Sequence, residues 1–559
     1  MISPFRGATA SAVDRIDRLW HWFRVRLPGR DWVTDRRISA TPLRLGGPLL
    51  SVVPSSSAVP LVHPPRIAWT LGFLAAAAAL LFALHRPLSG ACFGFVDDYV
   101  LLDPARPLPD WPFLGWVARD GRPLYGILLN LLLEPLRDVC DLGFLRLVNV
   151  ALEAAIATQV FALARRHGWP LAAAMPLGLL VVALPGFAAA AAWGTLVGPL
   201  AAISLGLAAA WFAVPAPDCA RDGGSIVRPA LAACLLAAAL TLYQPGAMAY
   251  VAGVAVALVR RPAGLATLRR AVLPAALVFA AVVVAYALFY LALPLAVPGE
   301  AISSRAALTL DPWQKAIWFL GVPLRQALNL FNLQPVPRFG FAVIALVALG
   351  TLLRHRDVGL GVVALAAQAG LVVLAFLPNL AVAESWPAFR SSLPMAMTVA
   401  VLAAAALVAV AEALPGRIAP VAGGLLVAAA AAWGFHASGQ AADRGLVRLQ
   451  REEWRIVVDA VRQQRPPLPD EARAPIVVVP AFAVPACADW QRFDEFGLPS
   501  TARPWAAHAM LRHAWRQVHG EAPMPRFVVA RPAVPPPPDA TVIDVAAALA
   551  ARAGAICGR

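Results

Sequence analysis

The sequence predicts an all-α polytopic membrane protein of about eleven transmembrane helices, followed by a small α/β domain. Three observations carry this. The chain is 60% hydrophobic and only 14% charged. Its mean hydropathy of +0.68 is far above that of a soluble domain. Apolar stretches long enough to cross ~30 Å of hydrocarbon recur from residue 67 to residue 436, and the segments between them alternate in arginine content.

Taken in order, residues 1–66 form an arginine-rich segment with no apolar core, unlike a signal peptide and expected in the cytoplasm. Within it, VDRIDRLWHWFRVRL (13–27) reads either as a basic amphipathic helix on the inner leaflet or as an unstructured tail. The domain expected to span the membrane is 67–436. Spans are predicted at 67–85, 142–164, 170–190, 193–213, 229–243, 246–259, 271–294, 339–353, 358–378, 393–413 and 418–436. The apolar run 123–136 is too short to cross and is expected along the outer interface. Within 295–337, Trp313, Trp318 and Phe331 suit a second interfacial helix. Arginines mark every inner loop, among them Arg165-Arg166, Arg260-Arg261 and the stretch LLRHRD (352–357). This puts the N-terminus in the cytoplasm and the C-terminus outside.

Residues 437–559 form the outer domain, with a helix at 444–465 and strands at 474–484 and 525–534. It could cap the site or bind an acceptor. Its His508, His513 and His519 lack metal-ligand company and are expected at the surface. Cys92 and Cys140 lie near the outer face, Cys487 and Cys557 in the outer domain, so two disulfides are possible in an oxidising compartment. Cys219 and Cys234 fall on the inner side or within the bilayer. The net charge of +15 is carried almost wholly by arginine, Lys315 being the only lysine. With no aromatic-interleaved basic patch, the excess reads as topology and attraction to membrane lipids, and nucleic acid is excluded as a partner.

The feature that points to chemistry is the acid pair Asp97-Asp98 in ACFGFVDDYVLLD, just past the first span. Adjacent carboxylates repel, and desolvating them costs several kcal/mol. Catalysis or a bound cation is the usual compensation, and a solvated loop is the plain alternative. Some twenty residues on comes WVARDGRPLYGILLN, and then LRLVNV leads into the next span. LYQPGAMAY (242–250) and ESWPAFRSSLP (384–394) follow in later segments.

In this order and topology the motifs resemble the GT-C superfamily of integral-membrane glycosyltransferases, and most of all the bacterial bactoprenol-glucose transferases that modify O-antigen. The resemblance covers about 67–436. The arginine-rich N-terminus departs from it, and the outer domain lies beyond it. It implies a hexosyltransferase of the bacterial inner membrane. Such an enzyme moves a sugar, with inversion, from a polyprenyl-phosphate donor to an envelope glycan or lipid acceptor on the periplasmic face. It implies Asp97 or Asp98 as general base, the other acid orienting it or helping to hold a divalent cation (Mg or Mn). No certain cofactor and no metal-ligand set follow. Arg122, Arg390, Arg325 and Arg338 are candidates for the donor phosphate, since the guanidinium fork suits phosphate oxygens. Tyr99, Tyr243 and Gln244 are candidates for substrate. Trp193, Trp313, Trp318 and Trp386 suit sugar or isoprenoid stacking, or an interfacial belt. A transporter or flippase is the alternative; it should show internal repeats and charges at the bilayer midplane, and the sequence shows no repeat.

Overall fold

A computed structural model describes residues 67–102, 112–217, 226–261, 264–296, 307–329, 338–355, 357–415, 418–466, 475–481, 496–530, 536–538 and 540–557. All of these belong to one unit, Leu61–Arg559. The 13–27 segment, Phe331, Cys219 and Cys487 lie outside the described residues.

The first long helix is α1 (Ile67–Ser89), and the acid pair opens the short α2 (Asp97–Leu101). Next come α3 (Pro112–Arg119), α4 (Pro123–Leu133) and α5 (Leu142–Arg166). α6 (Leu171–Val182) and α7 (Pro185–Ala192) form a pair bent by 56°. Pro185 has no N–H for the preceding helix and starts the next one, so the break falls there. α8 (Val197–Ala213) and α9 (Val227–Leu242) follow, then α10 (Gln244–Ala247) and α11 (Ala249–Leu258). Tyr243 is extended between α9 and α10, where Pro245 again begins a helix. The series continues with α12 (Leu273–Ala296), α13 (Pro312–Phe319), α14 (Arg325–Leu328), α15 (Phe339–Arg354) and α16 (Val358–Leu374). α17 (Leu377–Ala381), α18 (Phe389–Glu412) and α19 (Ala419–Ala442) complete it.

Every predicted span is helical, but not every one is long enough to cross. Among the described residues, six stretches are long and apolar enough: Ile67–Leu88, Val139–Arg166, Gly194–Ala213, Arg269–Leu293, Phe389–Glu412 and Ala419–Arg462. The bent pair α6–α7 makes a seventh if counted as one span. α9, α15, α16 and the stretch Gln244–Leu258 are shorter apolar helices. The helical membrane-protein class therefore stands, while length alone does not support eleven full crossings. Large apolar side chains are exposed along α1, α12 and α16, including Leu71, Leu288 and Val363. Such surface in water would be an aggregation liability, and lipid removes that cost.

The helix ends sort into two faces. At one, Arg260 pairs in a fork with Glu412 at 2.8 and 3.0 Å, and Arg354 reaches the same carboxylate at 3.9 Å. Arg261 bonds the Pro215 carbonyl and meets His167 at 3.1 Å. These contacts gather the ends of α5, α8, α11, α15 and α18. At the other face lie the acid pair, the breaks at residues 193–196 and 243, and the start of α18.

The C-terminal domain sits on that second face. α19 does not stop at residue 436. It runs through a π turn (Asp443–Arg448) into the amphipathic α20 (Leu449–Arg462) as one 44-residue stretch, Ala419–Arg462. The expected helix at 444–465 is thus the continuation of a span. β1 (Ile476–Val479) pairs in parallel with β2 (Phe527–Val529) and β3 (Thr541–Asp544), in the order β2-β1-β3. α21 (Pro504–His519), α22 (Val545–Ala551) and α23 (Ala553–Cys557) complete the domain. β3 and α21 have no counterpart in the expected elements.

The expectation of surface histidines fails at His513, which is buried and donates from Nε2 to the Tyr99 carbonyl at 3.0 Å. His519 meets the Val461 carbonyl at 3.2 Å and lies against Trp515, with ring centroids 4.3 Å apart. Cys92 and Cys140 form a disulfide with Cα atoms 4.1 Å apart. Cys557 is disulfide-bonded as well, and Cys234 is free and exposed on α9.

Candidate functional site

The acid loop is organised from α5. Arg146 is buried within α5, in the stretch LRLVNV. Its Nε donates to the Ala192 carbonyl at 3.0 Å, and its terminal nitrogens to Leu88 at 3.3 Å, Ala91 at 2.6 Å and Phe93. The guanidinium also lies 4.1 Å from the Phe93 ring centroid. One turn on, Asn149 donates to the carbonyls of Ala190 and Trp193, each at 2.9 Å. Two polar side chains on one helix face thus fix both the loop after α1 and the break after α7. Buried carbonyls need such donors where no backbone ladder supplies them.

Asp98 belongs to this framework. It is fully buried. Oδ2 accepts from the Phe95 N–H and Oδ1 from the Thr195 N–H, both at 3.0 Å. Burial pushes its carboxyl up to about 6, against the opposing pull of Arg146 and the N–H donors. Tyr99 is buried too. Its hydroxyl accepts from the Gly94 N–H at 3.0 Å, and its ring stacks on Trp454 at 5.6 Å. Tyr99 therefore holds the loop to the C-terminal domain and does not join the cluster described below.

That domain holds the loop at a second point. The Val96 N–H donates to Ser500 Oγ at 2.9 Å, and Ser500 Oγ donates to Gln450 at 2.7 Å. The buried Glu453 accepts from the N–H groups of Ser500 and Thr501 at 2.7 and 2.9 Å, and from Thr501 Oγ at 2.6 Å. Val96 has φ +38°, and among the described residues no other non-glycine is left-handed. A β-branched residue resists that conformation, and such strain concentrates at functional sites. Asp97 is the next residue.

Asp97, unlike Asp98, is only half-buried. Asp97, Arg122, Arg390 and Tyr243 all lie within electrostatic range of the Tyr125 hydroxyl. Tyr125 donates to the Thr195 carbonyl at 2.8 Å, beside the N–H that binds Asp98. Arg122 donates from Nε to Gln244 at 2.8 Å and lies 4.8 Å from the Tyr243 ring centroid. Gln244 donates to the Asp120 carbonyl at 2.8 Å and to Tyr286 Oη at 2.5 Å. The Tyr286 hydroxyl donates to the Gly121 carbonyl at 2.9 Å. Gly121 has φ +78°, and a Cβ there would sit 2.3 Å from Tyr286 Oη, so the RDGR turn needs glycine on both counts. Arg390 lies 4.7 Å from the ring centroid of Trp193, which meets Phe95 edge-on at 4.6 Å.

Motifs far apart in sequence, FVDDY, RDGRPLY, LYQP and AFRSS, thus meet in one cluster. Of the expected site residues, Asp97, Arg122, Arg390, Tyr243 and Gln244 come together. Arg325 and Arg338 are exposed, on α14 and at the start of α15, and take no part in the contacts that build the cluster. The motifs did not single out Arg146, Asn149, Tyr125, Thr195 or Tyr286. Charged and amide side chains inside an apolar span signal Arg146 and Asn149. Nothing in the sequence signals Thr195 or Tyr286.

The donor set does not suit a protein-held divalent cation. Both Asp98 oxygens already accept backbone N–H groups. Asp97 stands among two arginines, and among the described residues no three His, Cys, Asp or Glu side chains form a metal-binding group. Arg146 also borders a cavity of about 340 Å³ between α1 and α5, lined by Phe82, His85, Leu88 and Leu147. Deeper in α5, Glu153 is fully buried, with His85 Nε2 at 3.7 Å and no hydrogen bond to either oxygen. No protein-family model, characterised protein or solved structure matches the chain.

Proposed function

We propose that the chain is a membrane glycosyltransferase. It would transfer a hexose from a polyprenyl-phosphate donor to an envelope glycan or lipid acceptor on the periplasmic face of a bacterial inner membrane. The observation that supports this is the meeting of these segments around the break at residues 193–195: Asp98, next to the half-buried Asp97, accepts from the Thr195 N–H, Tyr125 donates to the Thr195 carbonyl, Arg390 lies against the Trp193 ring, and Arg122 binds Gln244 beside the Tyr243 ring. Asp97 takes the proton of the acceptor hydroxyl. That oxygen attacks the anomeric carbon as the bond from this carbon to the phosphate oxygen breaks, with inversion. Arg122 and Arg390 meet the charge of the departing phosphate, a role suited to paired guanidinium donors. Asp98 keeps the loop in place.

The test is transfer from a synthetic polyprenyl-phosphate hexose by the purified chain. Arg390→Ala should lower turnover by about a hundred- to a thousandfold, the usual range for losing a donor to developing charge. Arg390→Lys keeps the charge without the fork and should recover only part of this. Unchanged donor KM and kcat in Arg390→Ala would remove this arginine from the phosphate site.

Two observations support an orientation with the C-terminal domain outside the cytoplasm. The disulfides fall on the C-terminal-domain side, where an oxidising compartment permits them. The arginine–glutamate cluster lies at the opposite helix ends, as the positive-inside rule expects. A reporter active only outside the cytoplasm should work when fused after Arg559; a stable but inactive fusion would reverse the topology.

The alternative is a transporter or flippase. It draws on the buried Glu153 within α5, whose oxygens accept no hydrogen bond, and on the broken pair α6–α7. Sugar-independent movement of the lipid phosphate across vesicles, without transfer, would favour it.

A further inference from the structure

Arg503, between the turn Ser500–Ala502 and α21, lies between two tryptophans. Its guanidinium is 5.1 Å from the Trp386 ring centroid and 5.6 Å from that of Trp505. The rings come from different parts of the fold. Trp386 belongs to the segment that enters α18, and Trp505 to the C-terminal domain. Trp505 is 47% exposed although it sits in this stack.

The stack adjoins the reactive cluster through both chain segments. Trp386 precedes Arg390 by four residues, in the non-helical segment that leads into α18. Arg503 follows Ser500 by three, and Ser500 binds the Val96 N–H next to Asp97. Phe389 and Phe496 meet edge-on at 4.7 Å and close the seam between the segments. Lys315 fixes the Trp386 side. Its Nζ donates to the Glu384 carbonyl at 2.6 Å and to Ser385 Oγ at 3.2 Å.

We propose that Trp386, Arg503 and Trp505 form the subsite for a pyranose ring of the acceptor glycan. The chemistry matches on both counts. A pyranose presents an apolar C–H face that covers an aromatic ring, and a rim of hydroxyls that accept from guanidinium N–H groups. The subsite rests on the glycosyltransferase reading for its purpose, but its carbohydrate binding is measurable without catalysis.

The experiment uses the full chain in detergent micelles, with methyl glucopyranoside and methyl galactopyranoside as probes in saturation-transfer NMR. Transfer assays with an oligosaccharide acceptor run beside it. Trp505→Ala, whose exposed position spares the core, should abolish the saturation signal and raise acceptor KM by about tenfold, leaving donor KM in place. Arg503→Lys should weaken both effects less than Trp386→Ala. Pyranoside binding at these tryptophans in a chain that transfers nothing would sustain the subsite and overturn the enzyme reading. Active transfer with unchanged acceptor KM in both tryptophan variants would overturn the subsite and leave the enzyme. The subsite also falls if no pyranoside gives a signal, or if the variants lose only their association with lipid.

Discussion

Asp97→Asn is expected to abolish sugar transfer, by roughly 10²–10⁴-fold for loss of a general base, while the melting temperature in detergent stays near that of the parent. Asp97 is half-buried in the electrostatic reach of Tyr125, Arg122 and Arg390, and the amide keeps its shape without its basicity. Asp98→Asn should do the reverse. Both Asp98 oxygens accept backbone N–H groups, and an asparagine can offer only one acceptor. Its amide would face an N–H donor to donor, at a cost of about 1–3 kcal/mol. The variant should melt lower and show reduced activity only in proportion to the folded fraction.

Asp98 carries a pH signature as well. Burial raises its carboxyl to about 6, above its value in an unfolded chain. The folded state then binds more protons than the unfolded state between those values, so stability falls with rising pH there. The contribution is complete below the ordinary carboxylate range and is lost as pH rises through about 6. Asp98→Asn should flatten that slope. Equal loss of transfer in the two variants with equal melting temperatures would refute the division of roles.

The largest structural effect is expected at Arg146. Arg146→Met keeps the length and apolar stem of the side chain. It removes the donors to the carbonyls of Ala91, Phe93 and Ala192, and the cation beside Asp98. Breaking a buried, fully hydrogen-bonded charge typically costs about 3–5 kcal/mol. The loop after α1 should loosen, seen as faster hydrogen exchange at residues 90–98 and a large drop in melting temperature. Transfer should fall even where the variant inserts, because Asp97 loses its fixed position. If Arg146→Met melts like the parent and keeps a protected loop, the disulfide and the Ser500 contact suffice to hold it.

The amphipathic and apolar patterns made most of the bundle legible. Helix positions follow from apolar length and from proline, since each depends on neighbours within a few residues. The acid pair and the RDGR, Tyr-Gln and AFRSS steps stood out because polar side chains beside apolar spans need a reason. Which carboxylate is buried and which is half-exposed was not legible. Asp97 and Asp98 are identical in type, and their difference lies in N–H groups contributed by Phe95 and by Thr195, the latter about a hundred residues away.

The membrane class, the order of helices and four of the segments that form the cluster could all be read from the residues alone, whereas the Cys92–Cys140 disulfide was only a possibility there. Packing in three dimensions was needed to show that Asp98 and Tyr99 are buried with hydrogen-bonded side chains, that Arg325 and Arg338 are exposed, and that α19 carries straight on into the C-terminal domain. The same packing lets this domain lock the acid loop through Ser500 and His513. The difference is one of range. Apolar periodicity and proline act locally and leave a trace in the sequence, whereas burial and hydrogen-bond partners come from residues distant along the chain. Arg146 shows both sides: its charge within an apolar span was visible, but the four carbonyls it binds exist as a set only once α1, α5 and α7 are packed.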